Sequence, residues 1–376
     1  MIKELNIFLN IGNQRRQVGQ LIFQNRRYYF EYSVDFIKSD LQISPFLLPL
    51  KTGVFTCDEN NFSNPFGVFN DSMPDGWGML LLSQKLKKQN IDIHELSFLE
   101  KLSIVGRNGM GALEYEPFVE NQFSEILSSP DILSKESNKV LNGEDSDFIE
   151  LMLKNSGSSC GARPKITTDI NGESWIIKLI SSMDDNDAGI TEYAYSLAAK
   201  KAGINMPETR LFQSEKYPGF FGTKRFDRKG KCKIHMHSAC GLLNADFRTP
   251  SLEYEHLITA TKQLTKNVKE AEQIFRIMVF NVKTHNLDDH SKNFSFLMDE
   301  NEKWSVSPAY DLTYSRGIYG HRMTGVNGKT KDITDKDILT VAKKCGIEGA
   351  ENIIDEVCLA AAEIGEAGKM FKKSCF

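Results

Sequence analysis

Eight residues, NLDDHSKN at 286–293, set Asp288, Asp289, His290, Lys292 and Asn293 in one polar run whose only bulky apolar member is Leu287. Two chemistries fit. Carboxylate and amide oxygens are hard donors suited to Mg2+ carried on a nucleotide phosphate, and Asp311 offers a further carboxylate downstream. Alternatively, His285, Asp288, Asp289 and His290 could ligate the transition metal of a hydrolase or nuclease, although no HExxH or HxH spacing accompanies them. The bland alternative is a solvated loop leading into an edge hairpin.

What lies around this run sharpens the choice. NFSFL (293–297) and WSVSP (304–308) read as strands flanking the turn-rich MDENEK, and antiparallel pairing about Glu300 and Asn301 brings Asp288, Asn293 and Asp311 to the same open end. Upstream, GSSCGARPK (157–165) offers backbone N–H groups and the charges of Arg163 and Lys165 to phosphates, without the spacing of a Walker A loop. Lys178 ends the apolar strand WIIK, where a lysine needs a partner. Glu192, in the first turn of the next helix, can be that partner or can simply favour the helix N-terminus through the macrodipole. The order is Gly-rich loop, strand lysine, helix glutamate, Asp-x4-Asn and a second Asp after a hairpin, which is the parts order of a kinase. There Lys178 pairs with phosphates and Glu192, Asp288 orients the acceptor hydroxyl, and Asn293 and Asp311 hold Mg2+. YDL at 310–312 stands where DFG would be expected.

The elements that must position these residues follow from periodicity. Residues 5–32 alternate apolar with polar positions and predict short antiparallel strands, followed by helices over Trp77–Leu86 and Asp92–Leu102. These form a mixed N-terminal subdomain over 1–118. Serine, asparagine and acidic residues then mark a linker over 119–144 with a short helix or two. A helix over Asp145–Lys154, the hairpin ITTDINGESWIIKL, a helix over Thr191–Ala202 and the strand FFGTKRFDR make an N-lobe-like region over 145–230. Residues 231–376 alternate mostly helical segments with the late hairpin. The expected class is α+β, with a β-rich N-terminal subdomain and a mainly helical C-terminal lobe.

At 376 residues the chain exceeds one ordinary core, and its 40% hydrophobic and 26% charged residues are those of a packed globular protein. A net charge of -4 gives no general attraction to nucleic acid or anionic lipid, so DNA contact is expected only through a partner. Seven scattered cysteines without a CxxC pair argue against a disulfide framework or zinc ribbon. No signal h-region or membrane-length apolar run is present, which predicts a soluble cytoplasmic protein.

FNDSMPDGWG (69–78), IVGRNGMGALEYEP (104–117), GSSCGARPK, WIIKL, TEYAYSLAAKKAGI, KRFDR, FNVKTHNLDDHSKNFSFL and SPAYDLTYS occur in one order, and over nearly its whole length the chain resembles the HipA-family serine/threonine kinase toxins of bacterial toxin–antitoxin systems. The resemblance implies a two-lobed kinase-like fold, ATP with Mg2+, and phosphorylation of a protein such as an aminoacyl-tRNA synthetase. It also implies a helix-turn-helix antitoxin as partner. By motif position it makes Asp288 catalytic, Asn293 and Asp311 metal ligands, and Ser158, Ser159, Gly161, Ala162, Lys165 and Lys178 the phosphate side of the ATP site. Lys224, Phe226 and Asp227 match the adenine-binding strand, and Ser158 the autophosphorylated serine. Glu192, His290 and Lys292 are supporting residues, Lys292 either balancing the transferred phosphate or solvated. Cys160 replaces a glycine common in related loops, and Leu287 a polar residue. A metal-dependent nuclease and a non-catalytic ATP-binding regulatory module are the alternative readings.

Overall fold

Strict alternation of Leu5, Ile7, Leu9 and Ile11 with more exposed neighbours makes the first strand one-sided, the period of a half-buried β-strand. The computed structural model describes residues 2–12, 14–58, 66–118, 128–156 and 161–365. Ser158, Ser159 and Cys160 lie outside the described residues, as do 119–127 of the connecting segment. Strands β1 (Glu4–Ile11), β2 (Gln14–Gln24), β3 (Arg27–Tyr32), β4 (Val54–Asp58) and β5 (Leu113–Glu116) form one antiparallel sheet in the order β4-β3-β2-β1-β5. Its apolar face joins Phe36, Phe69 and Leu102 to Leu257, Phe275 and Val357 from the far end of the chain, in one contiguous core.

A second sheet carries the lysines. Strands β6 (Lys165–Ile170), β7 (Glu173–Lys178), β8 (Thr209–Phe212) and β9 (Phe220–Lys224) run in the order β6-β7-β9-β8. The β6–β7 hairpin turns on Asn171 and Gly172, both at positive φ as a two-residue hairpin loop demands, and the register sets Lys165 directly opposite Lys178. The helix Gly76–Lys88 packs on this sheet: Trp77, Leu81 and Leu82 share a second core with Ile166, Ile177 and Phe220.

Two helices differ from the expected spans for local reasons. Instead of one helix over Asp92–Leu102, a 3-10 turn at Ile93–Glu95 precedes a helix at Phe98–Val105, because Ser97 and Glu100 form a capping box that restarts the chain. The helix expected from Asp145 starts at Ile149, since Asp145 and Ser146 spend their side chains on backbone N–H groups at 146 and 148 and so favour a turn. The helix carrying Glu192 runs Ala188–Lys201. In the C-terminal part, helices Tyr254–Thr265 and Val268–Lys283 pack on a small sheet, and Asp335–Cys345 and Ala350–Ala362 pack on those helices. There Ser295–Met298 pairs antiparallel with Trp304–Val306, the late hairpin as expected, and with His235–Ser238 on its other side. The described fold is α+β.

Candidate active site

Lys178 emerges from the end of β7 into a cavity of about 480 Å³ that is also lined by Lys165, Asp288, Asn293, Asp311 and Asp75. Its ammonium lies 2.5 Å from Glu192 Oε1 and pairs with Asp311 Oδ1. Burial would lower the lysine, but the two carboxylates outweigh it and hold the ammonium above its ordinary value. Burial alone would likewise raise Asp311; Lys178 and then Lys165 outweigh it and hold the carboxyl well below the usual range. Glu192, which burial pushes up, is pulled back by Lys178. Two lysines opposite one another in register would repel, so Asp311 supplies the shared counter-charge. Asp311 itself sits at φ 54, a left-handed conformation that a non-glycine residue adopts where its surroundings hold it.

The loop at 286–293 follows the helix Val268–Lys283. His285 takes φ 54 and turns the chain, and the Asn286 N–H then bonds the Asn281 carbonyl at 3.0 Å. The two adjacent carboxylates part company here. Asp289 is 1% exposed and accepts from Tyr254 Oη at 2.8 Å, Arg322 Nη2 at 2.8 Å and the N–H groups of Met323 and Thr324. It anchors the loop, while Asp288 faces the cavity. Burial raises the Asp288 carboxyl; His290 pulls it back and Asp311 and Asp289 add to the rise. The Asn293 side-chain amide N–H donates to the Asp288 carbonyl at 2.8 Å, so the amide oxygen, which can only accept, points away from that bond.

Asp288, Asn293, Asp311, Lys165, Lys178, Gly161, Ala162 and His290 therefore surround one cavity, with Glu192 behind Lys178. Lys292 is not solvated: it is 6% exposed, 3.2 Å from Asp75 Oδ2, and its ammonium stands 4.2 Å from the Phe247 ring centroid. Lys224 and Phe226 line a different cavity of about 370 Å³, and Phe226 meets Tyr310, the neighbour of Asp311, ring to ring at 5.5 Å. Asp227 lines neither cavity; fully buried, it is held by Arg225, Arg228 and the Gly111 N–H. The transition-metal set does not form: Asp289 faces inward, and among the described residues no group of three or more His, Cys, Asp or Glu could hold a metal ion.

Asp75, Phe247 and Arg248 also line the cavity and were not expected there. The Asp-Gly pair of PDGWG is a helix-start signal, and Asp75 does accept from the Gly76 N–H at 2.9 Å. Nothing in the sequence points to its partner Lys292, 217 residues away. Phe247 and Arg248 carry no sequence signal of their own.

The model of the HipA N-terminal domain matches residues 9–116, and that of the HipA-like C-terminal domain matches 157–364. A HipA of Shewanella oneidensis MR-1, solved with HipB and operator DNA, aligns over 98% of this chain and 90% of its own with a TM-score of 0.71 at 16% identity. A putative kinase, Y4dM, of Sinorhizobium fredii (strain NBRC 101917 / NGR234) is 25% identical over 162 residues, so that the match spans 39% of either chain. With both domain models matched in order around this cavity, the chain belongs to the HipA family and has its two-lobed, kinase-like α+β fold.

Proposed function

We propose that the chain is a serine/threonine protein kinase, the toxin of a toxin–antitoxin pair, which moves the γ-phosphate of ATP to a protein hydroxyl. The observation that carries this reading is the convergence on one cavity of Asp288, Asn293, Asp311 and Lys178, the last paired with Asp311 and with Glu192 behind it. Phosphoryl transfer asks for positioning and charge neutralisation rather than covalent chemistry, and this is what those groups offer. Lys178 and Lys165 would hold phosphate oxygens. Asp288, with its raised carboxyl, would orient an acceptor hydroxyl and take its proton. Asn293 and Asp311 give two hard oxygens, a number that suits Mg2+, which takes few protein ligands and completes its shell with phosphates and water. When bound there, Mg2+ neutralises phosphate charge.

Ser158 or Ser159 is the proposed site of autophosphorylation, since nearly two added negative charges in a loop that cradles phosphates would repel the substrate's own. The proposed target is a translation component such as an aminoacyl-tRNA synthetase. A helix-turn-helix antitoxin is the proposed partner, supported by the presence of HipB and operator DNA in the matched Shewanella complex. Incubation of the purified protein with labelled ATP and Mg2+ tests the reading: label should enter the protein itself or a lysate protein, and Asp288→Ala should abolish it. No label, with Asp288→Ala arresting growth as well as the parent, overturns it.

A further inference from the structure

FNDSMPDGWG lies in the N-terminal half of the sequence, yet it contacts two loops that line the cavity. Asp71 accepts from His237 Nδ1 at 2.6 Å and from the Ser238 N–H at 2.7 Å, at the head of the segment that leads to Phe247. Gly67 is pressed so close to Gly241 that a Cβ there would stand 2.3 Å from the Gly241 carbonyl oxygen. Four residues after Asp71, Asp75 reaches Lys292 at 3.2 Å, with side chains only 16% and 7% exposed. The next two residues hold the phosphate loop: the Trp77 N–H donates to the Gly161 carbonyl at 3.2 Å, and a Cβ on Gly76 would lie 2.6 Å from Ala162 Cα. One short stretch is thus tied both to the loop at 161–165 and to the loop at 286–293.

The charges agree with a working contact. Burial would raise the Asp75 carboxyl, but Lys292 and the Gly76 N–H outweigh it, so Asp75 stays ionised. Lys292 does not line the cavity; it stands behind the wall, held between Asp75 and the Phe247 ring. It immediately precedes Asn293, whose amide is bonded to the Asp288 carbonyl. Lys292 thus links Asp75 to the residue beside Asn293, in a loop that Asp289 anchors on its other side.

We propose that Asp75 is a positioning residue: through Lys292 it sets the 286–293 loop, and through its helix it sets the phosphate loop, so that the N-terminal domain fixes the distance between the two sides of the site. The kinetic part of this rests on the kinase reading. Asp75→Asn is the discriminating change, because asparagine caps a helix as well as aspartate and only the charge is lost. Expected are a fall in kcat of about 10–100-fold with KM for ATP raised as the phosphate loop loosens, the same changes in Lys292→Met, and no further fall in the double variant. Amide hydrogen exchange on the same proteins should quicken at 161–165 and 286–293 and stay unchanged in β1–β5. Full kcat with unchanged exchange in Asp75→Asn, or losses that add in the double variant, overturns the proposal. If the parent transfers no phosphate, the kinase reading fails while the exchange measurement still decides whether Asp75 clamps the two loops: unchanged protection in both variants refutes it.

Discussion

Two neighbouring aspartates in one loop have opposite fates, and the reason is what surrounds each. Asp289 faces Arg322 and Tyr254 inside the protein; Asp288 faces the cavity and carries a carboxyl raised by burial and by its acidic neighbours. A base works deprotonated, so activity should be lost as pH falls through that raised value, with the acid limb of the kcat/KM profile above the ordinary carboxylate range. Asp288→Asn should lower kcat by about 10²–10⁴-fold while ATP still binds by titration. Lys178→Met should do more damage to folding, because Glu192 and Asp311 would then face each other without their cation. Denaturant unfolding should show a loss on the order of 3 kcal/mol, partly recovered by adding Glu192→Gln. At this scale much was legible: Lys178, Glu192, Asp288, Asn293 and Asp311 are named by type, order and spacing. Spacing singled out Asp288 of the pair, but the groups that hold Asp289 inward were not legible, since Arg322 and Tyr254 lie more than thirty residues away on either side.

Among the elements, the strands and the late hairpin followed from alternation and turn chemistry, whereas the broken helix at 92–105 hinged on a side-chain cap that competes with periodicity. The helix Gly76–Lys88 was expected at nearly its true length, but its packing on the second sheet depends on Trp77 and Leu81 meeting residues about a hundred positions later. Its first residue gives a direct test. Alanine favours helix over glycine, so Gly76→Ala should not weaken the helix itself. Its Cβ must instead displace the backbone at Ala162. ATP titration should show affinity reduced by about tenfold, as a misplaced phosphate loop would cause, with little change in thermal unfolding.

At the scale of the molecule, the N-terminal part is joined to the C-terminal helices by apolar contact and to the segment after β9 by buried charge. Asp227 accepts from Gly111 of the N-terminal part while Arg225 and Arg228 flank it. Burial would raise its carboxyl, but the two arginines outweigh that and hold it at about 2, against 3.8 ordinarily. A depressed carboxyl contributes stability that is complete above its unfolded value and is lost as pH falls toward the folded one, here between roughly 4 and 2. Asp227→Asn should cost about 3–5 kcal/mol at pH 7, read by denaturant unfolding, and should make the loss of stability between pH 4 and 2 shallower.

The contiguous core has a further consequence, in time rather than space. Strands β1–β3 leave the ribosome well ahead of their partners: part of the core they share, Leu257 through Val357, is made more than 200 residues later. At about 5–20 residues per second the sheet waits for at least ~10 s with its apolar face incompletely covered. For a chain whose proposed activity is harmful to its own cell, this delay separates the start of synthesis from a complete core, which needs the helices Asp335–Cys345 and Ala350–Ala362.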